Sequence, residues 1–84
     1  MNLVVIGTGY VGLVTGVGFA SLGNTVNFID LDEKKVSKLS NKQVPFYEPG
    51  LEDHFQNSET FSRMSFTSSY EEIDWESTDV AFIC

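Results

Sequence analysis

An α/β fold built on a parallel sheet is the class that this sequence predicts, and three observations predict it. Residues 1–6 are almost continuously apolar and β-branched, as in a parallel strand buried on both faces. Residues 7–12 carry glycines in the spacing G-x-G-x-x-G and open into an almost wholly apolar segment of helical length. Residues 25–29 form a second strand that ends on Asp30. This order predicts half of a Rossmann-type doubly wound parallel sheet, with four strands in the order 3-2-1-4.

The glycine-rich turn is the first candidate site, because each glycine has a separate task in a dinucleotide-binding strand–turn–helix unit. Gly7 makes the tight turn that leaves the strand. Gly9 lets a diphosphate approach the backbone, and Gly12 lets the helix lie close to the strand. The first N–H groups of the helix lack intrahelical partners and lie at the positive end of the helix dipole. The turn therefore predicts diphosphate binding without a lysine or arginine.

Asp30 is the second candidate, because it lies 18 residues after Gly12, close to the offset of the acid that binds an adenosine ribose. Its carboxylate accepts hydrogen bonds from ribose hydroxyls and repels a 2′-phosphate, so NAD is predicted in preference to NADP. Lys35 follows in the first turn of the next helix. It belongs either to a solvated face or to the group of residues that reach the ribose.

The middle of the chain predicts two short helices and an insertion. Asp32 is a good N-cap for the helix that contains Lys35. Residues 42–51 hold two prolines and a glycine, which exclude a long helix or a central strand. The simplest interpretation of this insertion is a hydrophobic loop that covers the sheet edge. Pro49 suits the first turn of a short helix that runs through about residue 55. The polar residues 56–62 are predicted to be loop.

The last third of the chain predicts two more strands. Residues 63–67 read as a short third strand, and residues 79–84 read as an apolar fourth strand. Between them, Ser69 and Glu72 match a capping box that starts a short helix. Strand one is central in the predicted order, so Val4 and Ile6 are expected to be fully buried.

The first helix contains several glycines. Each interior glycine makes a helix about 1 kcal/mol less stable than an alanine would. Gly12 and Gly16 are four residues apart and so share one face. We expect that face to pack closely on the sheet, which would compensate for the low helix propensity.

Length and composition bound the function. The chain has 84 residues, room for about one of the two halves of a dinucleotide-binding domain, so residues 1–84 are interpreted as the truncated N-terminal part of an NAD-binding domain. The net charge of −7 argues against nucleic acid and against an anionic membrane surface. No apolar run approaches the roughly 18 residues of a membrane span. The single cysteine forms no internal disulfide, which fits the cytoplasm. No metal-ligand spacing is present.

Several segments together resemble one family, the nucleotide-sugar dehydrogenases. Residues 6–16, with the sequence IGTGYVGLVTG, are similar to the N-terminus of that family. The sequence DLD at residues 30–32 and the sequence KV at residues 35–36 match the family as well. Residues 47–51, YEPGL, are the most specific piece and resemble the UDP-glucose branch, since related GDP-mannose enzymes usually lack this tyrosine. The third and fourth strands fit as well. Ser69 departs from the family, which often has aspartate there, but both residues cap helices.

The resemblance implies an oxidoreductase that converts UDP-glucose to UDP-glucuronate in a four-electron oxidation with two NAD⁺ in succession. In this family a cysteine in a later part of the protein forms a covalent thiohemiacetal, so the present chain is expected to hold no catalytic residue. Cys84 is interpreted as a small hydrophobe. The family's cofactor contacts carry over to Val11, Asp30 and Lys35. The candidate cofactor-binding residues are Gly7, Thr8, Gly9, Tyr10, Val11, Gly12, Asp30 and Lys35. The expected partner of the full-length protein is a UDP-sugar substrate, with assembly as a homo-oligomer.

Two other interpretations remain open at this point. The chain could belong to another Rossmann enzyme, such as a flavoprotein or a hydroxyacyl dehydrogenase, or to a non-enzymatic nucleotide-sensing module. The motif at residues 47–51 favours the nucleotide-sugar dehydrogenases over other Rossmann enzymes, although the sequence predicts no role for the motif itself. A reactive cysteine downstream of residue 84 would favour the enzyme over the sensing module.

Overall fold

Four strands form one parallel sheet in the computed structural model, which describes all 84 residues. They are β1 (Asn2–Ile6), β2 (Thr25–Ile29), β3 (Met64–Thr67) and β4 (Val80–Ile83). Their order across the sheet is β3-β2-β1-β4, and all three neighbouring pairs are parallel. The predicted strand order and directions are confirmed, and each strand begins and ends within one residue of its predicted limits. The order puts the carboxyl ends of β1 and β2 side by side, at the edge where ligands bind in such sheets.

Helices and short 3₁₀ turns fill the connections between the strands. The helices are α1 (Tyr10–Ser21), α2 (Glu33–Ser40), α3 (Leu51–Gln56) and α4 (Ser58–Ser62). The connection from β3 to β4 holds only two 3₁₀ turns, Tyr70–Glu72 and Trp75–Ser77. None of these helices is long and apolar enough to cross a membrane.

The two faces of the sheet are covered to very different extents. Leu3 and Val5 point to the same side of β1 and belong to a cluster of 11 buried residues beneath α1. Val4 points to the opposite side and joins a buried cluster of 3 that includes Ile73. Val4 is fully buried as expected, but the expectation was wrong for Ile6, which is only half-buried. Within these 84 residues, the second face is covered by the segment of the two 3₁₀ turns and not by an α-helix. Ile6, at the end of β1, is therefore only partly covered.

Close packing of α1 on the sheet is confirmed at Gly16. A Cβ atom at this position would lie 2.3 Å from Cε1 of Phe28 and 3.2 Å from a methyl group of Val5. The Phe28 ring is fully buried and stacks on the Phe66 ring with a centroid distance of 4.8 Å. The absence of a side chain at Gly16 therefore lets the aromatic pair lie directly under the helix, which compensates for the low helix propensity of glycine.

The segment from residue 49 to residue 62 differs from its prediction in two ways. The helix α3 begins at Leu51 instead of Pro49, because Gly50 adopts a left-handed conformation with a φ of 86° and separates the proline from the helix. Residues 56–62 are not a loop, since α4 occupies most of them. The Asn57 side chain caps α4 by accepting a hydrogen bond from the Thr60 N–H at 3.0 Å. The polar composition concealed this cap and the burial of Thr60.

The predicted capping box at Ser69 forms only in part. The Ser69 hydroxyl accepts a hydrogen bond from the Glu71 N–H at 3.2 Å, as an N-cap does. The Glu72 carboxylate does not return to Ser69, because it accepts a hydrogen bond from the Thr67 hydroxyl at 2.8 Å. The element that follows is a 3₁₀ turn instead of an α-helix.

Gly16 and Gly18 offer a matched test of the packing of α1. Alanine at Gly16 must displace the buried Phe28 ring, so we expect Gly16→Ala to lower the free energy of unfolding by about 1–3 kcal/mol. Alanine at Gly18 meets no atom within 4 Å, so Gly18→Ala is expected to raise it by up to about 1 kcal/mol through helix propensity. Urea denaturation of both variants measures the difference, and equal effects would contradict the packing argument.

Candidate cofactor-binding site

The glycine-rich turn joins β1 to α1, and its first position accepts only glycine. Gly7 has a φ of 101°, in the left-handed region that L side chains rarely adopt. A Cβ atom there would lie 2.6 Å from the carbonyl oxygen of Cys84. The Gly7 N–H donates a hydrogen bond to the Ile29 carbonyl at 2.8 Å, which fastens the turn to the end of β2.

The start of α1 presents unpaired donors to open space. A Cβ atom at Gly12 would lie 2.1 Å from the Gly7 carbonyl oxygen, so the helix begins in direct contact with the turn. Gly9 is different, because no atom lies within 4 Å of the position that its Cβ would occupy. Gly9 is also the N-cap and has no side chain to bond the helix end. The N–H groups of Tyr10 and Val11 have no acceptor within the chain, a geometry that suits a diphosphate.

The Asp30 carboxylate lies beside this turn and bonds to it directly. Its Oδ2 atom accepts two hydrogen bonds from Thr8, from the N–H at 3.0 Å and from the hydroxyl at 2.6 Å. Its Oδ1 atom accepts one from the Asp32 N–H at 3.0 Å. The Lys35 ammonium lies 3.7 Å from Oδ2. The structure thus brings the acid at the end of β2, the glycine-rich turn and the lysine into one site, through a buried threonine whose role the sequence did not reveal.

Asp30 is ionised at neutral pH. Its partial burial opposes the charge, but the hydrogen bonds from Thr8 and Asp32 and the nearby Lys35 outweigh burial and hold the pKa of Asp30 below its ordinary value. A carboxylate can accept about four hydrogen bonds, so the three already made leave room for about one more. The charged oxygen attracts hydroxyl donors and repels anionic groups, which is the chemistry required to bind a ribose without a 2′-phosphate.

A cavity of about 260 Å³ opens next to Asp30 at the carboxyl ends of β1, β2 and β4. Its walls include Leu31 and Ile83, both largely exposed, and the ring of Tyr70. The Tyr70 ring stacks on the Trp75 ring, with a centroid distance of 6.3 Å and an interplanar angle of 17°. The sequence analysis missed these apolar walls, because they come from two connections and the end of β4, which only the folded sheet brings together.

Tyr10 and Val11 have exposed side chains at the start of α1. The Tyr10 hydroxyl donates a hydrogen bond to the Glu48 carboxylate at 2.6 Å. This bond, together with desolvation and the negative charge of Glu48, raises the pKa of the Tyr10 phenol. The insertion between α2 and α3 therefore contacts the glycine-rich turn, a contact that the sequence did not predict.

Cys84 is exposed and lies beside the turn. Its N–H donates a hydrogen bond to the Ile6 carbonyl at 2.9 Å, which continues the pairing of β4 with β1. Cys84 was expected to behave as a small hydrophobe, but it is exposed within the 84 residues that the structure describes. No group of three or more histidine, cysteine, aspartate or glutamate side chains in the structure could hold a metal ion.

Comparison with known proteins gives a match along the whole chain. Residues 1–84 match the model of the UDP-glucose/GDP-mannose dehydrogenase family, NAD binding domain. The chain is 43% identical over 83 residues to a UDP-glucose 6-dehydrogenase from Rickettsia bellii, covering 99% of the chain and 19% of that protein. It is 42% identical over 83 residues to UDP-glucose 6-dehydrogenase YwqF from Bacillus subtilis, with the same 99% and 19% coverage. The chain thus spans about a fifth of the length of these relatives.

Solved structures of nucleotide-sugar dehydrogenases match the fold. A UDP-glucose dehydrogenase from Pyrobaculum islandicum matches with a TM-score of 0.84 and 41% identity, covering 99% of this chain and 19% of that chain. A GDP-mannose dehydrogenase from Pseudomonas aeruginosa, solved as a ternary complex, matches with a TM-score of 0.87 and 31% identity, covering 100% and 19%. With the family match over all 84 residues, these findings show that the chain belongs to the UDP-glucose/GDP-mannose dehydrogenase family, matching the model of its NAD-binding domain.

Proposed function

We propose that residues 1–84 are the N-terminal cofactor-binding part of an enzyme that oxidises UDP-glucose to UDP-glucuronate with two NAD⁺ in succession. The observation that carries this choice of substrate is the higher identity to UDP-glucose dehydrogenases than to the GDP-mannose enzyme. The motif at residues 47–51 supports the same choice. When bound, NAD⁺ accepts the hydride that leaves the sugar carbon.

The diphosphate of NAD is proposed to bind in front of Gly9. There the N–H groups of Tyr10 and Val11 are free, and no side chain fills the space. The helix dipole of α1 adds partial positive charge, and the first turn of α1 holds no acidic residue that would offset it. Gly7 and Gly12 hold the turn and the helix close enough together to shape this cradle.

The adenosine is proposed to bind at Asp30. Because three hydrogen bonds already occupy its carboxylate, one ribose hydroxyl donates a hydrogen bond to the remaining acceptor site, and the ammonium of the neighbouring Lys35 donates one to the second hydroxyl. The adenine ring enters the cavity between Leu31 and Tyr70, whose apolar walls exclude water from its faces. The sequence predicted that Asp30 accepts hydrogen bonds from the ribose hydroxyls, and we propose that it accepts one of them.

No residue of this chain is proposed to be catalytic. Cys84 lies at the end of β4 beside the diphosphate cradle, within the cofactor site rather than opposite it. The nucleophilic cysteine is proposed to lie in the further part of the protein that the relatives' length implies. We propose that the full-length protein acts on a UDP-sugar in the cytoplasm as a homo-oligomer, and the charge of −7 supports a partner other than nucleic acid.

The proposed reaction has a stoichiometry that can be measured. The protein encoded by the whole gene should form two NADH for each UDP-glucuronate from UDP-glucose, since four electrons leave the sugar. NADH absorbance and chromatography of the nucleotide sugar provide the two quantities. Faster turnover of GDP-mannose, or one NADH for each product, would contradict the assignment.

Asp30 is the residue on which the choice of NAD depends. Removal of a charged hydrogen-bond partner is worth roughly 1.5–3 kcal/mol, so Asp30→Ala should weaken NAD⁺ binding by about ten- to a hundredfold. Asp30→Asn keeps an acceptor for the buried Thr8 N–H and separates loss of charge from loss of fold. Calorimetry of both variants gives the affinities. Equal or tighter binding of NADP⁺ than of NAD⁺ by the unmutated protein would refute the assignment.

Tyr70 tests the position of the adenine. Base–aromatic contacts are worth about 1–3 kcal/mol by alanine substitution, so Tyr70→Ala should weaken AMP and NAD⁺ binding by about fivefold or more. Tyr70→Phe keeps the ring and serves as the control, with affinity near that of the unmutated protein. Equilibrium binding of AMP is the measurement. An unchanged AMP affinity in Tyr70→Ala would place the adenine elsewhere.

A further inference from the structure

The insertion that follows α2 contacts the glycine-rich turn through two residues. We call residues 44–50 the docking segment. Its Glu48 carboxylate accepts a hydrogen bond from the Tyr10 hydroxyl at 2.6 Å. Its Phe46 ring packs on the Tyr10 ring with a centroid distance of 5.2 Å and an interplanar angle of 42°. Tyr10 is the first residue of α1 and carries one of the free N–H groups of the diphosphate cradle.

The glycine-rich turn is attached to neighbouring segments on both sides of Gly9, whose own contact is the hydrogen bond that its carbonyl accepts from the Leu13 N–H at 3.0 Å. On the near side, Thr8 is buried and makes two hydrogen bonds to Asp30. On the far side, Tyr10 is attached to the docking segment. Between them, Gly9 has no side chain, and no atom lies within 4 Å of the position that a Cβ atom would occupy. A glycine flanked by two attachments loses much of the conformational freedom that it would otherwise retain.

We propose that Glu48 is a positioning residue for the diphosphate of NAD, which fixes Tyr10 so that the N–H groups of Tyr10 and Val11 stay aimed at the cradle. This inference rests on the proposed cofactor site. Glu48 acts through Tyr10, because a carboxylate repels a diphosphate and cannot bond to it directly at neutral pH. The gain in affinity comes from preorganisation, since the ordering of the turn is complete before the ligand arrives.

The chemistry of the pair suits a permanent attachment. The hydrogen bond joins a phenol donor to an ionised acceptor, a combination stronger than a bond between neutral groups. The Tyr10 pKa is raised, so the hydroxyl remains a donor throughout the neutral and mildly alkaline range. Ring packing on Phe46 holds Tyr10 in place from a second direction. The docking segment thereby acquires a role that its sequence alone did not disclose.

Three substitutions in the protein encoded by the whole gene separate this role from a merely structural one. Glu48→Ala removes the acceptor, and Tyr10→Phe removes the donor but keeps the ring on Phe46. Each should weaken ADP-ribose and NAD⁺ binding by about three- to tenfold, which is less than the full value of a charge-assisted hydrogen bond because this bond acts on the ligand only through the turn. The double variant should be no weaker than either single variant, because both break the same bond. Glu48→Gln keeps an acceptor and should restore affinity to within about twofold.

A control and a ligand series complete the test. Glu52→Ala removes a carboxylate that lines the same 440 Å³ cavity as Glu48 but makes no hydrogen bond to the turn, and it should leave binding unchanged. Adenosine lacks the diphosphate, so its affinity should not change in Glu48→Ala. Unfolding midpoints within the error of the unmutated protein exclude a general loss of structure.

The outcomes distinguish a failure of the positioning role of Glu48 from a failure of the proposed cofactor site. The positioning role is supported by a loss confined to diphosphate-containing ligands, shared by Glu48→Ala and Tyr10→Phe and recovered in Glu48→Gln. Tighter ADP-ribose binding in Glu48→Ala would overturn it, since Glu48 would then act only as a repelling charge. Equal losses for adenosine and ADP-ribose, or additive effects in the double variant, would also overturn it. Failure of the unmutated protein to bind NAD⁺ would refute the cofactor site itself.

Discussion

The whole structure depends on how closely α1 approaches the sheet. At Gly12 the helix backbone meets the carbonyl of Gly7, and at Gly16 it meets the buried ring of Phe28, so neither position has space for a single carbon atom. This approach puts the start of α1 directly behind the carboxyl end of β1. The unpaired N–H groups of the helix therefore open at the same edge of the sheet where β2 ends in an acid. A helix one methyl group further away would separate these two halves of the site.

The two hydrogen bonds from Thr8 to Asp30 join the β1–α1 connection to the β2–α2 connection. Asp30 serves the fold and the proposed ligand with the same carboxylate, because Oδ2 holds the turn while Oδ1 accepts one hydrogen bond from the Asp32 N–H and keeps an acceptor site for the ligand. A side chain with this double duty is hard to replace. Alanine leaves the buried Thr8 N–H without an acceptor, so the loss of binding and the loss of local order come together unless a conservative variant separates them.

The sequence was sufficient where a local pattern and the global fold agree. The apolar runs, the glycine spacing and Asp30 predicted the strand order and most residues of the candidate cofactor site, because each signal lies within a short stretch of chain. It was insufficient where a structure depends on partners far along the chain. The apolar walls at Leu31 and Tyr70 and the bond from Tyr10 to Glu48 join segments whose proximity only the tertiary fold creates. The prediction that Ile6 is fully buried failed for a related reason. No local pattern shows that 3₁₀ turns, and not an α-helix, connect β3 to β4.

The charge of the chain raises a last physical question, since a protein with a net charge of −7 is proposed to hold a ligand with a negative diphosphate. Charges beyond the Debye length of about 8 Å are largely screened at physiological salt, so most of the acidic surface contributes little at the cradle. Close to the cradle, the donors are backbone N–H groups aligned by the helix, and the Lys35 ammonium lies 3.7 Å from the Asp30 carboxylate and offsets its charge. Glu48 is the nearby carboxylate that bonds to the start of α1, and its hydrogen bond to Tyr10 directs its oxygen to the side chain rather than to the cradle. We therefore expect binding of the proposed diphosphate to depend on the orientation of a few neutral donors in the turn more than on the net charge of the surface.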